Sequence, residues 1–472
     1  MKLTKFGVIA LTSGFALMAF ELVAARILAP TIGSSTYVWT NVIGIIMVAL
    51  TFGYWAGGKL ADARKKPLDI AALCLATAFA VLIVLLSYEA ILSSIATAIT
   101  DSRWQGLIAA IVLFAPSSFL LGVISPYLVK LNLTNMASSG QAVASLSALN
   151  AVGSIAGTFL TGFVLFELIG SRATFVVVIL LLVAASWLIV PKVQLQLRII
   201  ISAGILATTA IAFIPIGDNN TAVIDTPIAT YVVKTDDTGY SQDLISLITG
   251  PGGTQSAIYK DGNPNLVFWY TQSFAEVAML TEHKDHILVL GGGTFTFPSY
   301  LADKYPDSQI DVVEIDPGLE HIARDYFRYE DQPNLNLIFE DARTYVNRAT
   351  EQYDLIFVDV FSNTFIPWQF ATAEYSAQIA KLAKPDAVVV VNLIATIGDR
   401  CLDLWQALDA PYSAHFDHRL VKFRDAAHYS NIIAVYSRQE IGLLAYHPLN
   451  VPSITPYTDD FAPIEKLQQS CR

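Results

Sequence analysis

The chain has 472 residues, of which 54% are hydrophobic and only 15% charged, and its mean hydropathy of +0.51 excludes a purely soluble protein. Its net charge of −11 is unevenly spread: residues 1–216 hold 12 Lys/Arg and 6 Asp/Glu, whereas residues 217–472 hold 17 and 34. An acidic second half excludes nucleic acid as its partner, because phosphates would be repelled, and suits a small cationic substrate.

Residues 1–216 read as a helical membrane domain. A bilayer crossing needs roughly 20 apolar residues. Seven segments qualify, at about 6–28, 38–57, 68–88, 105–129, 143–168, 173–190 and 197–215. The first resembles a signal peptide, but it carries Glu21 and Arg26 and leads into further spans, so it is expected to stay as a helix. Small residues in 53–58 and 153–157 predict close helix packing. Glu21 and Arg26 sit five residues apart on one helix and are expected to pair with other helices. Basic loop residues cluster with Lys2 and Lys5 on one side, which puts the N-terminus in the cytoplasm. Seven crossings would then export the second half. Either one span is miscounted or the second half faces out, and a cytoplasmic domain on an inner-membrane anchor is expected.

Residues 217–272 read as a small antiparallel β subdomain, with strand-like runs at 222–234, 244–249, 255–259 and 266–270 separated by Gly/Pro/Asn turns. Residues 273–472 then alternate between helix and strand. A helix is expected at 273–282, and strands at 287–290, 309–315, 335–339, 353–359, 386–394, 418–423 and 430–436. Near-continuous apolar strands predict a Rossmann-like parallel sheet covered on both faces. Ligands of such sheets bind beyond the carboxyl ends of the strands.

Gly291, Gly292 and Gly293 follow the first strand, where the missing Cβ lets the backbone approach a ligand. Glu314 ends the second strand, placed to grip ribose hydroxyls. Asp341 follows the third, suited either to an adenine amino group or to capping the next helix. Asp359 ends the fourth, nearest the reacting centre, as candidate general base. Phe361, Phe365 and Trp368 make the wall beside it apolar or pack the following loop. Cys74, Cys401 and Cys471 show no metal spacing and read as three unpaired thiols, and no metal site is expected.

Together, Gln255, the stretch Tyr270-Thr-Gln-Ser-Phe-Ala-Glu276, VLGGGT, VVEIDP, EDARTYV, DLIFVDVF and Lys384–Asn392 resemble the spermidine synthase (polyamine aminopropyltransferase) family, within the class I S-adenosylmethionine-dependent fold. Glu21-Leu-Val-Ala-Ala-Arg26, Gly57-Gly-Lys-Leu-Ala-Asp62 and Thr458-Asp-Asp-Phe-Ala-Pro463 resemble its membrane-fused branch. The resemblance implies a transferase of polyamine biosynthesis that moves an aminopropyl group from decarboxylated S-adenosylmethionine to putrescine or a related amine, releasing methylthioadenosine. It implies Asp359 as the catalytic residue, and Gln255, Gly291–Gly293, Thr294, Glu314 and Asp341 around the cofactor. Tyr270, Gln272, Ser362, Asp459 and Asp460 fall to the amine, with no metal and with a homodimer left open. Two positions depart from the family pattern. Thr294 stands where the family has an Asp that holds the cofactor's terminal amine, and Ser362 replaces the second carboxylate of a D-x-x-D pair. These departures keep open a site for ordinary S-adenosylmethionine, as a methyltransferase or as a lyase or cyclase releasing methylthioadenosine. A non-catalytic nucleoside sensor or transporter is the remaining alternative.

Overall fold

The computed structural model describes residues 4–33, 35–99, 101–133, 139–189, 195–211, 220–237, 243–250, 253–360, 366–395, 401–424, 430–443, 445–448, 452 and 454–471. The chain divides into two compact units, Met1–Asp218 with Ile224–Thr230, and Asn219–Val223 with Tyr231–Arg472.

The first unit is helical. Among the described residues, six helices are long and apolar enough to cross a membrane: α1 (Lys5–Ile32), α2 (Thr36–Arg64), α3 (Pro67–Ala98), α4 (Arg103–Asn132), α5 (Gly140–Leu168) and α6 (Gly170–Trp187). Of the seventh expected segment, 197–215, the described part forms the apolar helix α7 (Leu195–Ile211), and residues 212–215 lie outside the described residues. Small residues let the backbones touch. A Cβ on Gly153 would overlap the Leu11 carbonyl of α1, and one on Gly53 would overlap the Phe119 carbonyl of α4. The Arg26 guanidinium donates to the carbonyls of Pro227 and Ala229, each at 3.2 Å, and to that of Thr226. The same group lies 4.4 Å from the centre of the Phe166 ring, so the cation is met by carbonyl dipoles and an aromatic face.

The second unit opens with a four-stranded sheet of β1 (Thr221–Asp225), β2 (Thr230–Asp237), β3 (Leu244–Gly250) and β4 (Gly253–Tyr259), in that order. Residues 266–270 form no strand, and Trp269 and Tyr270 instead start helix α8 (Trp269–Leu280). A five-residue apolar run is too short for its period to separate the two outcomes. Here Tyr270 packs edge-on against Phe274, one helical turn away.

The eight-stranded sheet follows. It comprises β5 (His286–Leu290), β6 (Gln309–Glu314), β7 (Leu335–Phe339), β8 (Tyr353–Val358), β9 (Ala383–Ala395), β10 (His418–Phe423), β11 (Ser430–Ser437) and β12 (His447–Pro448), in the order β12-β10-β11-β9-β8-β5-β6-β7. Strands β5 to β9 run parallel, but β11 pairs antiparallel with β9, and β10 antiparallel with β11. The sheet is therefore mixed, not wholly parallel. Only six residues separate β10 from β11, which suffices for an antiparallel return, whereas a parallel return needs a crossover of a dozen or more.

Helices α9 (Thr296–Lys304) and α10 (Gly318–Tyr326) join α8 on one face. On the other lie α11 (Ala342–Arg348), α12 (Ala373–Leu382), α13 (Leu402–Ser413) and α14 (Ile464–Cys471). Alternate residues of β5 serve opposite cores, with Ile287 and Val289 in one and Leu288 and Leu290 in the other. That arrangement makes the strand apolar throughout. Cys401 and Cys471 are joined by a disulfide across a Cα separation of 4.6 Å, so two of the three expected free thiols are paired. Folding supplies that proximity to residues 70 apart in sequence, and Cys74 remains free and buried.

Candidate active site

The turn after β5 is built on backbone that only glycine accepts readily. Gly291 has φ +93° and Gly293 φ +54°, both in the left-handed region. A Cβ on Gly291 would overlap the Asp359 carbonyl oxygen, so this glycine is also what lets the ends of β5 and β8 meet. Phe295 continues the turn at φ +58°, a rare conformation for a bulky residue. It is held by burial against Tyr329 and Phe339.

Glu314, at the tip of β6, reaches into this turn. Its Oε2 accepts from the backbone N–H groups of Gly292 and Gly293, both at 2.9 Å, and Oε1 accepts from that of Asp316 at 3.0 Å. Burial pushes its carboxyl above the ordinary value while those donors pull the other way. A carboxylate offers about four acceptor positions, so three are engaged within the protein. Thr294 is also buried: its N–H donates to the Ser256 hydroxyl at 3.2 Å, and its own Oγ1 is buried with no hydrogen-bond partner.

Asp359 directly follows β8. Its N–H donates to the Leu290 carbonyl at 2.8 Å, which ties it to the strand that leads into the glycine turn. Its Oδ1 accepts from the Asn392 amide at 2.8 Å, and the Tyr270 hydroxyl donates to the same carboxylate. Burial raises the Asp359 carboxyl to about 6, against those two hydrogen bonds. Tyr270 is itself pushed well above its ordinary value by burial and by the neighbouring Asp359 charge, so it stays a donor.

The other anticipated residues have different surroundings. Asp341 caps α11, accepting from the Thr344 N–H at 2.9 Å. Gln255 lies exposed on β4, and the exposed Gln272 donates to the Leu266 carbonyl at 2.8 Å. Asp459 is engaged by Arg343 at 2.6 Å and by the Thr372 hydroxyl at 2.7 Å. Asp460 lines a pocket with Trp368, Phe461, Ala462 and Pro463. Ser362, Phe361 and Phe365 lie outside the described residues.

Sequence reasoning missed several contributors. Ser256 covers the glycine turn, and Tyr231 donates to the buried Asp316 at 2.8 Å. Ile315, beside Glu314, is 48% exposed. Asn392 interrupts a run of valines, and that polar interruption was its available signal.

Comparison with known proteins fits this arrangement. Residues 267–394 match the family described as the spermine/spermidine synthase domain. This stretch is similar to that family over its matched length. A polyamine aminopropyltransferase of Vibrio vulnificus is 32% identical over 146 residues, covering 30% of this chain and 49% of its own length. A probable polyamine aminopropyl transferase of Bifidobacterium longum is 30% identical over 142 residues, 30% of this chain and 31% of its own length. The chain thus spans about half, and about a third, of these relatives. A solved probable spermidine synthase from Corynebacterium glutamicum aligns with 27% identity and a TM-score of 0.41 over 47% of this chain and 81% of that one. The second unit has the class I S-adenosylmethionine-dependent fold, Rossmann-like with a mixed sheet, and the matched stretch contains the glycine turn, Glu314, Asp359 and Asn392.

Proposed function

We propose that the chain is a membrane-anchored aminopropyltransferase that uses decarboxylated S-adenosylmethionine and putrescine or a related amine. The observation that carries this reading is Asp359: a half-buried carboxylate raised to about 6, held by Tyr270 and Asn392 against the glycine turn. A base poised just below neutral pH is ionised in use and still takes up a proton readily. The substrate ammonium gives a proton to Asp359, and the freed nitrogen lone pair attacks the carbon next to the sulfonium. A C–N bond forms as the C–S bond breaks, and that electron pair stays on sulfur. The products are a secondary ammonium and the neutral thioether methylthioadenosine. Little else is needed beyond orientation, because the sulfonium is already a good leaving group.

In this reading Gly291–Gly293 admit the nucleoside, Glu314 takes the ribose hydroxyls and Ile315 supports the base. Glu314 has about one free acceptor position, so gripping two hydroxyls requires one loop N–H to let go. In this reading the second half of the chain faces the cytoplasm, where adenosyl cofactors are kept.

Incubating the protein with decarboxylated S-adenosylmethionine and putrescine is expected to yield methylthioadenosine and spermidine in equal amounts. A folded protein that makes neither product, with any of a panel of di- and polyamines, overturns the reading. A second reading, a site for ordinary S-adenosylmethionine, is favoured by one observation: Thr294 places a neutral, buried hydroxyl where a charge would select an amine terminus. Calorimetry with both cofactor forms separates the two, and tighter binding of the decarboxylated form rejects the second.

A further inference from the structure

Behind Asp359 stands a second amide. Asn392 lies on β9, beside β8, and is only 2% exposed among apolar neighbours. Asn431 lies on β11, in an antiparallel register that pairs it with Ile394 and pairs Ile433 with Asn392. The Asn431 amide donates to Asn392 Oδ1 at 3.0 Å, and the Asn392 amide donates to Asp359 Oδ1 at 2.8 Å. Two carboxamides and a carboxylate therefore form one directed line.

We infer that Asn392 and Asn431 are a positioning relay that fixes the Asp359 carboxylate toward the crevice; this rests on Asp359 being the base proposed above. The direction of the line carries the inference. A carboxamide has an acceptor end and a donor end of nearly the same shape, so packing alone does not decide which faces Asp359. The ionised carboxylate only accepts, so it takes the amide hydrogens of Asn392, and Asn431 holds that orientation by donating to the oxygen left over. The reverse orientation would set two oxygens against each other and two amide groups nose to nose. A buried amide also costs free energy unless it is bonded, and a valine at 392 would continue the run 388–391 without that cost.

The groups that face Asp359 are few. Tyr270 approaches from α8, Asn392 from β9 and the Gly291 backbone from the β5 turn. No charged side chain among the described residues contributes to its titration. The proton affinity of Asp359 is thus set by burial against two neutral donors, and removing one must raise it. A hydrogen bond to a charged group has a worth equivalent to about one to two pH units.

The test uses full-length protein in detergent and follows the Asp359 carboxyl by difference infrared spectroscopy, assigned with Asp359→Asn. Asn392→Leu is expected to raise its titration by about one pH unit, and Asn431→Leu by a smaller amount in the same direction. Where substrates are turned over, the acid limb of the rate profile moves by the same amount, with KM changed less than kcat. Asn431 is only partly buried, so its variant tests the relay even if Asn392→Leu fails to fold. A folded Asn431→Leu protein with an unshifted carboxyl titration overturns the relay. Absence of any transfer reaction in the unaltered protein overturns the proposed function instead, and leaves the infrared result standing.

Discussion

Burial raises the Asp359 carboxyl to about 6, from an unfolded value of about 3.9. The base is needed ionised, so kcat/KM is expected to fall tenfold per pH unit on the acid side of about pH 6 in a pH–rate profile. Stability runs the other way. The folded state binds the proton more tightly, so this contribution is fully present below about pH 4 and is lost as pH rises through about 6. At neutral pH the buried charge is a net cost. Asp359→Asn is therefore expected to lower kcat/KM by about 10²–10⁴. It should also stabilise the fold at pH 7.5 by about 1–3 kcal/mol, with little gain at pH 4. Thermal melts at both pH values check the sign. The position of Asp359 was legible in the sequence because a carboxylate after an apolar strand points to the ligand edge. Its partner Asn392 was not, because one amide in a valine run acquires meaning only when β8 and β11 are known to flank it.

Elements were legible where the pattern carried its own cause. The parallel strands β5 to β9 are apolar throughout because both faces are covered, and their expected positions fall within a few residues of those observed. The direction of β10 and β11 is not written in their composition, so the antiparallel edge emerged only from pairing. The aromatic run that starts α8 reads as strand or helix with equal ease. The glycine turn is the clearest junction of sequence and element: Gly291 serves both a left-handed backbone and the approach of β8. Gly291→Ala is expected to strain the first and displace the second, weakening methylthioadenosine binding at least tenfold in calorimetry. Gly58, whose added Cβ meets open space, is the matched control, and Gly58→Ala should leave binding unchanged.

Each of the two units has its own apolar interior, one of helices α1 to α7 and one on either face of the large sheet. Within the first unit, Arg26 gathers three carbonyls of the 226–229 segment. Arg26→Met removes those donors while keeping an apolar stem, and faster proteinase K cleavage between residues 224 and 230 is expected, by several-fold at unchanged helix content. The charge division at residue 216 in the sequence lies close to the structural division, but the return of 224–230 to the helical unit was not legible. It depends on an arginine and a loop about 200 residues apart.

The Cys401–Cys471 bond gives the whole molecule a compass. Cells keep thiols reduced on the cytoplasmic side of their membrane and oxidised on the other. The cytoplasmic placement proposed above puts this pair on the reducing side, so alkylation of intact cells before lysis, followed by mass spectrometry, is expected to find both thiols trapped, with the bond closing only on exposure to oxidant. Isolating the bonded form from unstressed cells would turn the needle round: it would add α7 to the crossings and place the second half of the chain on the outer face. One redox measurement on two cysteines thereby counts membrane passes nearly 200 residues upstream.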